Sequence, residues 1–221
     1  TGMIGRNPLQ GVYFGDYLYW GGTGTNWVFG SQNIVLGRKN VLTNQGLNAI
    51  AIGENSGQQE QGIGAIAIGV NAGQTNQLAF AIAIGANAGS TGQRTNAVAI
   101  GRVAGQFIQS LNAIAIGDSA GNTNQAINAI AIGYQAGQTN QGTSAVAIGF
   151  QSGYIRQNDS AVAIGYQAGF TNQGTNTIAI GYQAGQTNQA TSSIMIGTQS
   201  GNRNSNQNTI SWWLNYCANR D

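Results

Sequence analysis

The chain has 221 residues, of which 41% are hydrophobic and only 6% are charged, with a formal net charge of +2 and no histidine. Its basic residues are spread from Arg6 to Arg220 without a cluster, which argues against a nucleic-acid-binding surface. Cys217 is the single cysteine, so no intrachain disulfide can form, and the sequence lacks the ligands for a zinc site. We therefore predict no cofactor and no metal site.

No uninterrupted apolar run approaches the roughly 18 residues that a membrane-spanning helix requires, so we expect no membrane insertion by this segment. The chain also opens without a secretory signal peptide. Because Thr1 is not an initiator methionine, we interpret the chain as a processed product or a fragment.

A sixteen-residue unit is repeated along the chain without one insertion or deletion. Its clearest copy, residues 128–143, reads NAIAIGYQAGQTNQGT, and the glycine that closes its Ile-Ala-Ile-Gly core recurs every sixteen positions from Gly37 to Gly197. Repetition this regular is typical of a solenoid whose coils stack on one another. The period-2 alternation of branched residues and alanine favours strands, and the glycines and polar residues favour turns. One coil is predicted to contain a strand, a glycine turn, a second strand and a second turn.

Residues 1–32, ahead of the regular repeats, are rich in aromatic side chains. Steps of sixteen back from Gly37 reach Gly21 and Gly5, each preceded by apolar residues. We interpret this segment as a cap of degenerate coils over the open end of the stack, since a terminal coil has no neighbour to cover its core. A dedicated anchoring or binding function is the alternative.

Branched side chains repeat at the two positions held by Ile130 and Ile132, and these columns are predicted to form a long dry core. Alanines repeat on the alternate face of the same strand and would leave a flat apolar stripe exposed unless another chain covered it. We therefore expect a homo-oligomer packed through the alanine face, with a monomer as the alternative. The expected interface residues are Ala83, Ala99, Ala115, Ala131, Ala147 and Ala163.

A glutamine recurs every sixteen positions from Gln45 to Gln189. Stacked amides at strand spacing can donate and accept along the axis, so this column is predicted to form a hydrogen-bonded ladder. At the C-terminus, residues 208–213 align with 176–181, and Trp213 replaces the turn glycine, which predicts the end of the array. The predicted organisation is a cap over 1–32, regular repeats over 33–207, and a terminating coil with a cap over 208–221.

The Asn-Ala-Ile-Ala-Ile-Gly core at 112–117 and 128–133, with the variant Ser-Ala-Val-Ala-Ile-Gly at 160–165, resembles the head repeats of YadA-like trimeric autotransporter adhesins. The resemblance covers about residues 33–212, although a period of sixteen is longer than is typical of the bacterial heads. It implies an all-β, single-chain β-solenoid, a left-handed parallel β-roll with sixteen-residue coils assembled as a homotrimer. Similar repeats occur in fibre proteins of phages and large viruses, so the resemblance implies an extracellular location on a cell or virion surface.

The sequence gives little basis for an enzyme. No histidine is available as a general base, and the six acidic residues lie mostly in different coils. Glu54 and Glu60 share one coil, but nothing in the repeat makes them converge as a pair of glycosidase carboxylates must, so we interpret them as solvated turn acids. The turns also lack the aspartates of calcium-binding rolls.

A second column, just after the turn glycine, becomes aromatic in the later coils. Rings can contact sugar C–H groups and amides can bind hydroxyls, so these residues are candidates for a glycan-binding platform. The alternative is that the rings stack on one another and rigidify the turn, or fill a groove of the trimer. The candidate residues are Tyr134, Phe150, Tyr154, Tyr166, Phe170 and Tyr182, with Gln151 and Gln167 beside them.

Three functions are compatible with these patterns. The leading hypothesis is a structural fibre or adhesin-head segment that contributes to attachment to a carbohydrate or host surface receptor. The second is a purely structural spacer or filament subunit without a ligand. The third is an ice-binding roll, suggested by threonines at Thr75, Thr91, Thr123, Thr139, Thr171 and Thr187 but lacking paired Thr-x-Thr rows.

Overall fold

The computed structural model describes residues 18–20, 27–29, 32–38, 43–202 and 208–212. Within these residues the chain is all-β, with 24 strands of three residues each and no helix. The strands form three sheets. Two of them, with twelve and ten strands, are the walls of the solenoid, and the third pairs β1 (Leu18–Trp20) with β2 (Trp27–Phe29).

The twelve-stranded wall is here called the isoleucine sheet, because isoleucine or valine opens every one of its strands. The ten-stranded wall is called the threonine sheet, because most of its strands begin with threonine. The isoleucine sheet contains β3 (Ile34–Leu36), β5 (Ile50–Ile52), β7 (Ile66–Ile68), β9 (Ile82–Ile84), β11 (Val98–Ile100), β13 (Ile114–Ile116), β15 (Ile130–Ile132), β17 (Val146–Ile148), β19 (Val162–Ile164), β21 (Ile178–Ile180), β23 (Ile194–Ile196) and β24 (Ile210–Trp212). The threonine sheet contains β4 (Thr43–Gln45), β6 (Gln59–Gln61), β8 (Thr75–Gln77), β10 (Thr91–Gln93), β12 (Phe107–Gln109), β14 (Thr123–Gln125), β16 (Thr139–Gln141), β18 (Ile155–Gln157), β20 (Thr171–Gln173) and β22 (Thr187–Gln189).

Each coil from residue 34 to residue 193 contributes one strand to each wall, and all strands within a wall run parallel. Residues that face each other along the axis are sixteen positions apart, as Ile130 and Val146 are in one wall and Thr139 and Ile155 in the other. Backbone hydrogen bonds also join successive coils in the turns, where the N–H of Gln135 donates to the carbonyl of Asp118 at 2.9 Å. The predicted parallel β-solenoid with sixteen-residue coils, and the predicted order of strands and turns, are confirmed.

Left-handed backbone conformations fold each coil back on itself. In the coil that begins at residue 128, the corner residues Asn128, Gln135, Gly137 and Asn140 have φ between 51° and 57°. Glycine and asparagine tolerate this region better than other residues, which explains why they recur at these positions. Gly133 has a φ of 126°, and a Cβ built there would lie 2.6 Å from a carbonyl oxygen of the next coil, so this position has no room for a side chain.

The interior of the solenoid is narrow and lined by four inward-facing columns. Three carry small side chains, as at Ala129, Ala131 and Ala136, and the fourth carries glutamine, as at Gln141; these four residues have at most 1% exposure. The isoleucine columns on the alternate face of the same strand remain partly accessible, and Ile132 is 36% exposed. Short strands joined by tight turns leave space for methyl groups but not for stacked isoleucines.

The sequence-based assignment of core and outer face was therefore wrong. The interior belongs to the alanines that were expected to form the outer stripe, because they are the side chains small enough to fit it. None of the expected interface residues has an exposed side chain, and all six have 0% exposure: Ala83, Ala99, Ala115, Ala131, Ala147 and Ala163. The apolar stripe that is exposed to solvent consists of isoleucines and valines.

The predicted glutamine ladder is confirmed from Gln45 to Gln157, and it lies inside the solenoid. The amides from Gln45 to Gln141 each donate to the glutamine oxygen of the next coil at 3.1–3.3 Å. Those from Gln61 to Gln157 also donate to a strand carbonyl of their own coil at 2.7–2.8 Å, as Gln109 does with Val98. The ladder ends where Gln173 and Gln189 have side-chain oxygens without a hydrogen-bond partner. In these coils the alanine four residues further on is replaced by Thr177 and Ser193, whose extra atoms enlarge the interior side chain.

The two ends of the chain differ in how they meet the solenoid. β1 and β2 pair antiparallel in a sheet of their own, so these strands do not pair with the solenoid walls in the sixteen-residue register. Most of the expected cap over 1–32 lies outside the described residues, and its capping role stays a prediction. β24 continues the register, with Ile196 opposite Trp212 as the alignment predicted. Trp213 and the expected C-terminal cap lie outside the described residues.

We expect Gln109→Met to lower the free energy of unfolding by about 1–3 kcal/mol, the cost of leaving buried polar groups unpaired. The substitution preserves volume but removes the amide that serves Val98 and Gln125, and it leaves the Gln93 amide without its acceptor. Urea denaturation measures the change. The matched control is Gln167→Met in a half-buried outer ladder, where water can replace the amide, and equal losses in the two variants would contradict this account.

Candidate functional site

The outer face of the isoleucine sheet carries two parallel apolar ridges. One follows the column of Ile130, the other the column of Ile132, and alternation along the strand turns both away from the alanines of the interior. The second ridge is the more accessible, at 36% for Ile116, Ile132 and Ile148. A continuous apolar surface over this many coils exceeds what a single soluble chain usually exposes.

An aromatic column lies beside the second ridge, at the position that follows the turn glycine. Tyr134, Phe150, Tyr166 and Tyr182 stack in sequence, with ring centroids 5.0–5.2 Å apart and interplanar angles of 4–15°. The distance between rings follows the distance between strands, because successive rings lie in successive coils. The four residues are 39–48% exposed.

A second, shorter stack lies at the end of the same turn. Tyr154 and Phe170 face each other with centroids 4.9 Å apart at an interplanar angle of 9°. Both residues are half-buried. The structure thus separates the six predicted aromatic residues into two stacks rather than one surface.

The outer glutamines next to the rings form a ladder of their own. Gln151 donates to Gln135 at 2.8 Å, Gln167 donates to Gln151 at 2.9 Å, and Gln183 donates to Gln167 at 3.0 Å. This ladder runs in the opposite direction to the one inside the solenoid, since each amide donates to the preceding coil. The two predicted site amides, Gln151 and Gln167, are therefore already paired within the chain.

This geometry changes what the aromatic column can offer to a ligand. A ring that contacts sugar C–H groups must present its face, but the inner faces here are covered by neighbouring rings. Tyr134, Tyr166 and Tyr182 are 42–48% exposed, so solvent reaches the stack although the rings cover one another. The stack of rings favours the interpretation that these residues rigidify the turn.

The aromatic column begins directly after a pair of charged residues. Arg102 and Asp118 occupy the two preceding positions of the column and form a two-bond ion pair, with Nε–Oδ2 at 2.8 Å and Nη2–Oδ1 at 3.0 Å. Their side chains are 63% and 33% exposed, so the pair adds little stability. It is the only ion pair within the described part of the chain, and sequence analysis did not single it out.

The threonine column predicted as a possible ice-binding feature lies on the threonine sheet. Strand pairing places Thr75 beside Thr91 and Thr123 beside Thr139. Phe107 interrupts the column between these pairs, and Ile155 interrupts it again further along. No run of adjacent threonines in the described strands from residue 59 onward exceeds two coils.

The acidic residues that share a coil lie on different parts of it. Glu54 follows the glycine of the first turn, and Glu60 is the central residue of β6; both side chains are exposed. Among the described residues, no group of three His, Cys, Asp or Glu side chains is close enough to hold a metal ion. A search of the same residues finds no helix with the length and hydrophobicity to cross a bilayer.

We expect Phe150→Ala to lower the free energy of unfolding by about 1–2 kcal/mol, because the central ring has two stacking partners. Thermal denaturation measures the change. The control is Val70→Ala in the same column, where the residue is 48% exposed and its column neighbours are Glu54 and Ala86 rather than rings. If the two variants lose the same stability, the ring stack contributes nothing beyond burial of apolar area.

Residues 173–185 match the family model described as the YadA head domain repeat, in two copies. This segment runs from the last residue of β20 through β21 and its glycine turn. No curated protein and no solved structure matches the chain. The matched segment lies within a parallel solenoid whose strands pair sixteen positions apart, so the coils of this array are similar to YadA head repeats.

Proposed function

We propose that this chain is a stiff segment of an adhesin-like surface fibre, assembled as a homotrimer through the isoleucine ridges. The observation that carries the proposal is the unbroken apolar face of a solenoid made of YadA-like head repeats. Three chains and a left-handed winding are what the family resemblance implies. A location on a cell or virion surface follows from the same resemblance.

The isoleucine ridges suit a contact between identical chains. Each partly exposed isoleucine that becomes buried would contribute about 1 kcal/mol to the free energy of association. Because many coils contribute, the assembly is stable although each contribution is small. Equal spacing of coils in every copy keeps the ridges in register along the whole length. The chain itself is proposed to have no catalytic role.

We expect charged residues on the second ridge to break the assembly. The test variant carries Glu at Ile116, Ile132 and Ile148, each 36% exposed, so carboxylates would enter the proposed contact. Light scattering is expected to give three times the chain mass for the native protein and a single chain for the variant.

The control carries Glu at Leu47, Ile63 and Leu111, which are 60%, 52% and 41% exposed in the second turn, away from the ridges. It is expected to remain trimeric. Circular dichroism establishes that both variants are folded. A native protein that elutes as single chains at working concentration would overturn the proposed assembly.

For attachment, we propose that a surface glycan contacts the row of phenol hydroxyls on the long aromatic stack. The hydroxyls of Tyr134, Tyr166 and Tyr182 lie on partly exposed side chains and can both donate and accept hydrogen bonds. Tyr154 and Phe170 border the same turn. The Gln151 oxygen accepts one hydrogen bond, from Gln167, and keeps one lone pair for a ligand, whereas the Gln167 oxygen already accepts from Gln183 and Gln186.

Replacing all three tyrosines by phenylalanine is expected to lower binding on a glycan array at least tenfold, because only the hydroxyls are removed and the stack remains. Thr75→Val, which removes a hydroxyl from the threonine sheet, is the control and should leave binding unchanged. Full binding by the triple Tyr→Phe variant would exclude this contact.

The second candidate function is a spacer without a ligand. Paired amide ladders and stacked rings favour it, because these columns satisfy one another and leave few polar groups unpaired for a partner. A native chain that binds no glycan but still assembles would support the spacer.

A further inference from the structure

A second periodicity, longer than the coil, appears on the outer face of the threonine sheet. Most strands of this sheet read Thr-Asn-Gln, but three of them carry larger residues in place of Thr-Asn. These are β6 with Gln59 and Glu60, β12 with Phe107 and Ile108, and β18 with Ile155 and Arg156.

The three exceptional strands are evenly spaced. Glu60, Ile108 and Arg156 are 48 positions apart, which is three coils of sixteen residues. Three strand spacings amount to roughly 14 Å along the axis. All six substituted side chains are exposed, with Phe107 at 44%, Ile108 at 54% and Ile155 at 39%, so they project from an otherwise polar wall.

In the central strand, β12, the apolar residue Ile108 has a strained backbone conformation. Ile108 has a φ of 56°, a left-handed conformation that is unfavourable for a β-branched side chain. Asparagine occupies the equivalent position in most coils, as at Asn76 and Asn124, with nearly the same φ. An exposed, strained isoleucine contributes nothing to the interior, so its side chain is available for a contact outside the chain.

The outer two strands carry opposite charges. Glu60 and Arg156 have no ion-pair partner within the described residues, and Arg156 has only a long hydrogen bond of 3.4 Å to Asn172. A shallow depression flanks each of them, one bordered by Ile63 and the other by Asp159, whose carboxylate is held at 2.7 Å by the backbone N–H of Thr143. Along the axis, the outer face of the threonine sheet therefore carries a negative, an apolar and a positive strand at equal intervals.

We propose that a second copy of this chain docks antiparallel on this face, about a two-fold axis at Phe107 and Ile108. In that arrangement Glu60 of each copy meets Arg156 of the other, and the two central apolar pairs meet each other. Self-complementarity of this kind is what a two-fold contact requires, because residue i meets residue j and j meets i. The contact lies on the wall opposite the isoleucine ridges, so it is separate from the trimer proposed above and joins one assembly to another.

Disulfide cross-linking distinguishes this orientation from others, in a Cys217→Ser background. Ile108→Cys alone is expected to give covalent dimers under mild oxidation, and so is a mixture of Glu60→Cys with Arg156→Cys chains. Glu60→Cys alone is expected to give none, because in the antiparallel pair its two copies would lie about 29 Å apart along the axis, six strand spacings. Covalent dimers from Glu60→Cys alone would indicate a parallel contact, and no covalent dimer in any sample would exclude the interface.

Sedimentation velocity provides the second test, with variants that preserve the fold. Glu60→Arg or Arg156→Glu alone is expected to weaken association at least tenfold, whereas the double variant, which restores the opposite charges, recovers it. Replacing Phe107 by Thr and Ile108 by Asn gives the Thr-Asn-Gln sequence of β8 and β14, so it keeps the coil folded and should abolish association. Association that survives this replacement would overturn the proposal, and so would a double variant that associates no more strongly than the single variants. The trimer proposed above is expected to persist in every variant, which distinguishes the two contacts.

Discussion

The width of the interior is the constraint on which the rest of this structure depends. Sixteen residues, folded into two short strands and two tight turns, enclose room for three small side chains and one glutamine per coil. Ala129, Ala131 and Ala136 fill that room as methyl groups, and Gln141 bridges it with hydrogen bonds to its own strand and to the next coil. The stabilisation comes from the repetition of many small contributions, since Met195 is the only large apolar side chain that is fully buried among the described residues.

A narrow interior also determines what the outside looks like. Because the branched side chains cannot enter, the strand that places alanine inside must place isoleucine outside, and the solenoid acquires an apolar wall along its length. Backbone polar groups are paired along the axis, even in the turns, so the coil does not depend on a large core to offset their burial. A single alternating pattern therefore both fills the interior with alanine and leaves the apolar outer face through which we propose that the chains associate.

The sequence was sufficient to predict the architecture but not the direction of the side chains. The sixteen-residue period of the turn glycines was enough to predict the coil length, the register between coils and the positions of the turns. These glycines recur from Gly53 to Gly197 without a shift. Alternation of Ile130 with Ala131 identifies two faces but does not state which is inside, since that depends on the volume enclosed by a coil. The same limit applies to the rings: their column was visible in the sequence, whereas their face-to-face orientation, which decides what a ligand can touch, depends on the coil spacing.

In a solenoid of this kind, columns of identical residues are explained by stability, whereas residues that depart from a column point to recognition. Where identical residues stack, as in the glutamine ladders or the ring column, each copy satisfies its neighbours, so regularity is explained by stability alone. A departure that weakens the coil, such as Ile108 in a left-handed conformation, has no such explanation. Specific recognition by a repetitive rod must then depend on the coils that break the repeat, because only they give a partner a position along the axis to recognise.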